Sequence, residues 1–213
     1  LIHSRILCGP PQSIIELEPD LAARISSGAV KWVENQQTPS TSAYGVLQSL
    51  PEQTPVLLTT ADHAMLNEGM IDCFCTRAWS SGCDVVAGLA RHEKVTKAYP
   101  QTRRTATRLQ DGSYCGCNLF AFLTPRARRA ADFWRQVENQ RKNPLRVIRV
   151  LGMMAVLRYL LGKLTLADAL DRMSQRLGFR AGAVIMPYAE AAIDVDSAAD
   201  LRLVEEIITQ RQE

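Results

Sequence analysis

The chain has 213 residues, enough for one sizeable hydrophobic core and near the upper end of what a single core serves. Apolar residues make up 46% of it and charged residues 22%, which excludes disordered and fibrous classes. The net charge of +3 is too small to indicate a nucleic-acid partner, since such domains concentrate a far stronger basic bias on one face. We therefore expect a single domain in which any phosphate-binding role comes from a local site.

The cysteines and the apolar runs indicate where such a protein works. We interpret the six cysteines as reduced thiols of a cytoplasmic protein, because no secretory leader precedes them. The pairs Cys73/Cys75 and Cys115/Cys117 are spaced more closely than the ligands of structural zinc sites, which disfavours zinc. No uninterrupted apolar run reaches the ~20 residues that a membrane-spanning helix needs.

The first half of the chain alternates short apolar runs with helical segments. The runs have the length and β-branched content of buried strands in a parallel sheet. Alternation of this kind predicts an α/β sheet with right-handed crossovers. In chain order, the predicted elements are strand 30–33, helix 40–50, strand 55–60, helix 67–80 with Asn67 as its N-cap, and strand 84–90.

The pattern changes in the second half. Two extended segments flank the turn signal Asp111-Gly112, which predicts a small antiparallel insertion. Helical periodicity then returns, and Pro187 favours an edge position for the last strand. The predicted elements are strands 106–110 and 118–122, helix 125–140, a helical region 145–177 broken near Gly162 with Thr165 as a cap, strand 183–187, and a helix 197–211 capped by Ser197.

Asp62 follows strand 55–60, and ligands of open α/β sheets lie beyond the carboxyl ends of the strands. Magnesium takes one or two protein carboxylates and fills its remaining positions with water and substrate phosphates. Asp62 is therefore a candidate Mg²⁺ ligand. The alternative is that Asp62 only caps the helix that follows it.

A second acidic segment, Asp194-Val195-Asp196, follows the last predicted strand. Alternate residues of an extended segment point the same way, so Asp194 and Asp196 can face one site and bind the same metal as Asp62. Here too the alternative is capping, with Asp196 or Ser197 satisfying the free amides of the last helix.

Three segments in order resemble the motifs of MobA-like NTP transferases, relatives of molybdenum-cofactor guanylyltransferase and of sugar-phosphate nucleotidyltransferases. They are Leu57-Leu-Thr-Thr-Ala-Asp-His, Ser113-Tyr-Cys-Gly-Cys-Asn-Leu-Phe, and Ala192-Ile-Asp-Val-Asp-Ser-Ala-Ala-Asp-Leu. The resemblance extends over nearly the whole chain. It implies a Rossmann-like GT-A fold: a mostly parallel sheet with helices on both faces.

The resemblance also implies an activity and its residues. The family joins a nucleoside monophosphate from an NTP to a small phosphorylated acceptor and releases pyrophosphate. The residue matching Asp62 binds the catalytic Mg²⁺, and the stretch 194–196 often completes that site. The loop with Ser40 and Ser42 matches the region of base contact, although helix capping explains both serines equally well. Thr60 and Asn118 are the other candidate nucleotide-site residues, with Asn118 in a segment that resembles the acceptor-side wall.

Arg103 and Arg104 are the candidates for gripping the acceptor phosphate, because guanidinium groups bind phosphate oxygens in pairs. A solvated surface pair is the alternative. Lys94 and Lys97 are weaker candidates for the same role.

The chain departs from the family at its start. Family members begin with a strand and a Gly-rich loop that wraps the triphosphate, and the strand near residues 5–8 resembles the family's second strand instead. We therefore expect an inner strand and its loop to be missing from this sequence. Two alternatives follow: a catalytically inactive nucleotide-binding or scaffold domain, and a GT-A glycosyltransferase that uses a nucleotide sugar.

The region 145–177 mixes large aliphatic residues with six basic ones. An apolar face opposed by basic residues can lie on an anionic membrane surface, which suits a lipid-precursor acceptor. A helix that packs on the core, or that forms a dimer face, explains the same pattern.

Overall fold

The structure is a computed structural model, and it describes residues 2–102, 104–138 and 152–210. Several helices begin where the sequence supplies a side-chain cap, and three of them show the same geometry. Thr38 caps α3 (Pro39–Ser49), Asn67 caps α4 (Glu68–Ser80), and Thr165 caps α8 (Leu166–Leu177). In each case the side-chain oxygen accepts a hydrogen bond from a backbone N–H three residues later. The caps predicted at Asn67 and Thr165 are thus confirmed.

Three of the remaining helices were not predicted from the sequence: α1 (Gln12–Ile15), α2 (Pro19–Ser26) and α5 (His92–Ala98). The others lie in predicted helical segments and are α6 (Arg128–Glu138), α7 (Met153–Leu160) and α9 (Ala198–Gln210). Short 3-10 helices lie at Pro125–Ala127 and Ala189–Ala192. Residues 145–151 of the predicted helical region lie outside the described residues. Among the helices described, none combines the length and the apolar character needed to cross a membrane.

The larger sheet has β6 (Gly112–Phe122) near its centre. Its path runs from β3 (Val56–Thr59) through β6 to β4 (Val85–Arg91) and β7 (Ala181–Met186), while β5 (Thr107–Leu109) pairs with β6. β6 is antiparallel to both β3 and β4, and β7 is parallel to β4, so β3, β4 and β7 run in one direction. The Rossmann-like α/β class is confirmed, and the antiparallel hairpin predicted as an insertion supplies the strand that joins β3 to β4.

A second, two-stranded parallel sheet consists of β1 (Ile6–Gly9) and β2 (Lys31–Glu34). The prediction that residues 30–33 form a buried strand is wrong about burial. Lys31, Val33 and Glu34 are exposed, because β2 has a partner on one edge and little packed against its faces. Among the described residues, β1 and β3 each pair along one edge only.

The core lies on both faces of β6, whose side chains alternate between two clusters. On one face, Cys115, Cys117, Leu119 and Ala121 pack with residues of α4, β4, β7 and α9. On the other, Phe122 packs with Leu47 of α3 and with Ala127 and Ala131 next to and within α6. This three-layer arrangement leaves the carboxyl ends of β3, β4 and β7 at one edge of the sheet, where the acidic segments emerge.

At the opposite ends of these strands, the buried carboxylate of Asp84 joins three segments. It accepts hydrogen bonds from the Thr124 hydroxyl, after β6, and from the Arg180 amide, before β7, both at 2.6 Å. Burial alone would raise the pKa of Asp84, but these two hydrogen bonds and the nearby Arg180 guanidinium hold it below its ordinary value. The ionised carboxylate therefore stabilises the start of β4.

We expect Asp84→Ala to lower the free energy of unfolding by about 2–3 kcal/mol, because the Thr124 hydroxyl and the Arg180 amide lose their acceptor. Since the folded pKa is depressed, this contribution is present above the unfolded pKa of about 3.9 and is lost as the pH falls through the folded value. Urea unfolding between pH 7 and pH 3 measures both effects. The control is Asp72→Ala on the exposed side of α4, and equal losses in the two variants would contradict the expectation.

Candidate functional site

Asp62 lies in a tight turn directly after β3. The Thr60 hydroxyl donates a hydrogen bond to the Asp62 carboxylate, and the carbonyl of Asp62 accepts one from the Ala64 amide at 3.0 Å. Asp62 is half-buried and lies at the carboxyl end of its strand, where the sequence predicted it. Thr60 therefore orients the Asp62 carboxylate and acts as a positioning residue.

The second acidic segment reaches the same place from the far end of the sheet. After β7, the 3-10 helix Ala189–Ala192 packs against α5, β4 and β6, so the chain crosses the ends of the intervening strands. Ile193 is completely buried and anchors this crossing. The backbone N–H of Val195 then donates a 2.9 Å hydrogen bond to the carbonyl of Asp62. This bond joins the two acidic segments directly.

The result is a cluster of three carboxylates. Asp62, Asp194 and Asp196 each present one oxygen, and these oxygens lie within 4.8 Å of one another. Asp62 and Asp194 are half-buried and Asp196 is exposed, so the cluster opens to solvent on one side. Carboxylate oxygens gathered in this way repel one another and are the donors that hard divalent cations prefer. The arrangement fits a divalent metal ion, as the strand-end argument predicted.

Asn118 and Arg104 fix the orientation of Asp194. The Asn118 side-chain amide donates to one carboxylate oxygen at 2.9 Å. The Arg104 guanidinium forms an ion pair with the other oxygen and also hydrogen-bonds the Asp194 backbone carbonyl. Both residues bind a carboxylate that itself faces Asp62, so they act as positioning residues for the cluster.

A local irregularity in β6 places Asn118. The register between β4 and β6 shifts between Ala87 and Leu89, and Asn118 has φ of +49°, in the left-handed region. Asparagine tolerates this conformation better than most residues. A bulge of this kind redirects a side chain from the regular alternation of a strand. It explains why Asn118 points at Asp194.

The structure revises the prediction for Arg104. Its side chain is only 11% exposed and lies between Asp194 and Asp200, with the Asp200 carboxylate at 3.6 Å. A guanidinium bound to two carboxylates is not available to grip an acceptor phosphate. Arg103, the other arginine assigned to that role, lies outside the described residues.

Ser40 and Ser42 lie in the first turn of α3, and their side chains are buried. The Ser42 hydroxyl accepts a hydrogen bond from the backbone N–H of Gln36 at 2.8 Å. The Ser40 hydroxyl lies 3.1 Å from the Thr38 hydroxyl. The N-cap of α3 is Thr38, so neither serine is itself the cap, and both instead hold the segment that leads into the helix. A contact to a nucleotide base stays a prediction.

Two further side chains complete the surroundings. His63 is buried behind Asp62, and burial lowers its pKa, while Asp62 and the backbone of Glu190 act in the opposite direction. His63 is not among the described side chains that meet at the carboxylate cluster, and its burial fits a packing role. Burial raises the pKa of Cys117 to about 12, which keeps it a thiol and leaves it a poor nucleophile.

Asp200 also belongs to this region, because it pairs with Arg104. The sequence did not predict this pair. The Ser197 hydroxyl donates to the Asp200 carboxylate at 2.6 Å, and this bond is the main cause of its lowered pKa. The Ser-x-x-Asp spacing predicted that Ser197 caps α9, and the Asp200 backbone N–H does donate to the Ser197 hydroxyl. The second contact of the Asp200 carboxylate, to Arg104, joins residues 96 positions apart and leaves no local signal.

Solved structures of other proteins share this fold. A hypothetical transferase from Thermus thermophilus aligns with a TM-score of 0.71 and 29% identity, over 83% of this chain and 74% of its own. A 4-diphosphocytidyl-2C-methyl-D-erythritol synthase from Anaerococcus prevotii DSM 20548 aligns with a TM-score of 0.54 and 12% identity, over 98% of this chain and 82% of its own. No protein-family model matches the chain, and no curated protein does. The fold is therefore that of nucleotidyltransferase-like α/β proteins.

We expect Arg104→Gln to lower the free energy of unfolding by about 2–3 kcal/mol, because Asp194 and Asp200 lose their cation but keep some contact with water. The same substitution makes the cluster more negative. Millimolar Mn²⁺ should therefore restore part of the lost stability, which a purely structural defect would not show.

Urea unfolding with and without Mn²⁺ measures both effects of Arg104→Gln. Arg202→Gln, on the exposed side of α9, is the matched control. Wild-type stability of Arg104→Gln, or a loss that Mn²⁺ leaves unchanged, would contradict the role assigned to Arg104.

Proposed function

We propose that this protein is a nucleotidyltransferase, which uses Mg²⁺ to transfer a nucleoside monophosphate from an NTP to a small phosphorylated acceptor and releases pyrophosphate. The observation that carries this proposal is the convergence of Asp62, Asp194 and Asp196 at the carboxyl ends of the strands. Ligands of open α/β sheets lie at that edge. A single cation there can hold phosphates and carboxylates together.

The protein's own residues have distinct tasks in this proposal. Asp62 and Asp194 are the ligands that would hold Mg²⁺, and Asp196, being exposed, would complete its shell from the solvent side. Bound Mg²⁺ would neutralise charge on the phosphates. Thr60 and Asn118 hold the two ligand carboxylates in place, and Arg104 offsets part of their negative charge before any cation binds.

Transfer between phosphates requires positioning and charge stabilisation more than proton transfer. The site fits that requirement, since the described groups around the carboxylates are hydrogen-bond donors and a cation. Cys117 is buried with a raised pKa and so stays a thiol, and the proposed transfer needs neither Cys117 as a nucleophile nor the buried His63 as a base. An acceptor phosphate oxygen would attack the α-phosphorus in line with the leaving pyrophosphate.

Both solved relatives support a reaction of this class. One is named a transferase, and the other a synthase whose name contains a cytidyl group. The ordered motifs point more narrowly to the MobA-like group. With Arg104 bound to carboxylates, the grip on the acceptor phosphate falls to Arg103, or to Lys94 and Lys97 on the exposed side of α5.

The test is to incubate the natural full-length protein with each NTP, Mg²⁺ and a panel of sugar phosphates, and to follow pyrophosphate release. We expect release with at least one NTP, and Asp62→Ala should reduce it at least roughly a hundredfold, since a metal ligand is lost. Asp72→Ala, on the exposed side of α4, should leave the rate unchanged.

An inactive nucleotide-binding domain is the second candidate, favoured by the separation of β1–β2 from the larger sheet. Nucleotide binding by calorimetry without pyrophosphate release would support it. Undiminished release from Asp62→Ala would overturn the catalytic assignment. Transfer of labelled sugar from a nucleotide sugar would instead indicate a glycosyltransferase.

A further inference from the structure

Helix α7 presents its apolar side to solvent. Met153, Met154, Leu157, Leu160 and Leu161 are all exposed, and Met153 and Leu160 are 81% and 75% accessible. We call these five residues the α7 face. Their spacing, i, i+1, i+4, i+7 and i+8, places them on one side of a helix. The face is continuous, unlike the single exposed apolar residues that ordinary protein surfaces carry.

On the other side of α7, Ala155 is completely buried, Val156 is half-buried and Tyr159 is 45% exposed. Arg158 reaches Asp168 of α8 at 2.8 Å and the carbonyl of Lys163 at 3.3 Å. Amphipathic helices of water-soluble domains normally turn their large apolar residues inward. In α7 the large apolar residues face outward instead, while Ala155 is buried and Arg158 pairs with Asp168.

The surroundings of the α7 face are basic. Lys163 is exposed just beyond the helix, and the Arg176 guanidinium lies next to Gly152 at its start. In the sequence, the stretch between Glu138 and Asp168 contains no acidic residue. Its six basic residues are Arg141, Lys142, Arg146, Arg149, Arg158 and Lys163.

We propose that the α7 face inserts into the headgroup region of an anionic membrane, with α7 lying in the plane of the bilayer surface. Exposed aliphatic residues flanked by cations are the features of an interfacial helix. At eight residues, α7 is too short to cross a bilayer, and its length suits a position at the surface. The site residues lie on other elements, so this binding does not depend on the proposed reaction.

A second copy of the chain is the competing occupant. In a symmetric dimer the same patch meets itself, so the basic residues around the α7 face of one copy would approach those of the other. Like charges facing each other oppose association, whereas anionic headgroups attract the same residues. The charge distribution therefore favours the membrane.

Cosedimentation with lipid vesicles tests the proposal, using the full chain without nucleotide. We expect binding to phosphatidylcholine vesicles that contain about 30 mol % phosphatidylglycerol, and much weaker binding to pure phosphatidylcholine. Raising NaCl from about 50 to about 500 mM should reduce the partition coefficient at least about fivefold. The triple variant Met153→Ser, Leu157→Ser, Leu160→Ser should reduce it at least about tenfold.

The matched control is Leu17→Ser with Trp79→Ser, which removes two exposed apolar side chains away from α7 and should bind vesicles as the wild type does. Unfolding by urea checks that both variants are folded. The proposal is overturned if the wild type does not bind anionic vesicles, or if the triple variant binds them equally well. A wild-type dimer that the triple variant converts to a monomer, without vesicle binding, would make the face a self-association surface instead.

Discussion

The hydrogen bond from the Val195 amide to the carbonyl of Asp62 is the contact on which the site depends. It joins two segments that are 133 positions apart in the sequence and that leave the sheet from strands separated by two others. Three carboxylates would not remain together by themselves, since their charges repel. The main-chain bond, the buried Ile193 and the Arg104 guanidinium hold the acidic segments in place and offset part of that repulsion. The cluster is thus assembled before any cation binds, which reduces the ordering that binding would otherwise require.

Charge balance explains why Arg104 and Asn118 belong to the same arrangement. Asp194 has an oxygen bound to each of them, and Asp200 stands on the far side of Arg104. The guanidinium therefore serves the folded state and the site together. Asp84 has a comparable role at the amino ends of the strands, where one carboxylate satisfies two donors from neighbouring segments. Carboxylates with fixed partners therefore stabilise the larger sheet at both ends of its strands.

Local sequence signals predicted the longer helices, the strands of the larger sheet and the two acidic segments, but they missed the short helices α1, α2 and α5. Asn67 and Thr165 cap the helices as expected, and Asp62 follows its strand, because capping and strand-end position are properties of a few neighbouring residues. The prediction that residues 30–33 are buried was wrong, because the burial of a strand depends on what packs against it. The partners of Arg104 and the bulge at Asn118 arise from contacts between distant segments. Periodicity likewise marked the apolar side of α7, but it does not indicate whether that side faces the core or the solvent.

The most direct test of the account is the position of a bound cation. Crystals of the protein grown with Mn²⁺ and a non-hydrolysable NTP analogue would show the ion by its anomalous scattering. The account predicts one strong peak in contact with carboxylate oxygens of Asp62 and Asp194, with the analogue's phosphates beside it. A fully occupied nucleotide whose metal lies away from these carboxylates, or a cluster that stays empty at saturating Mn²⁺, would contradict it.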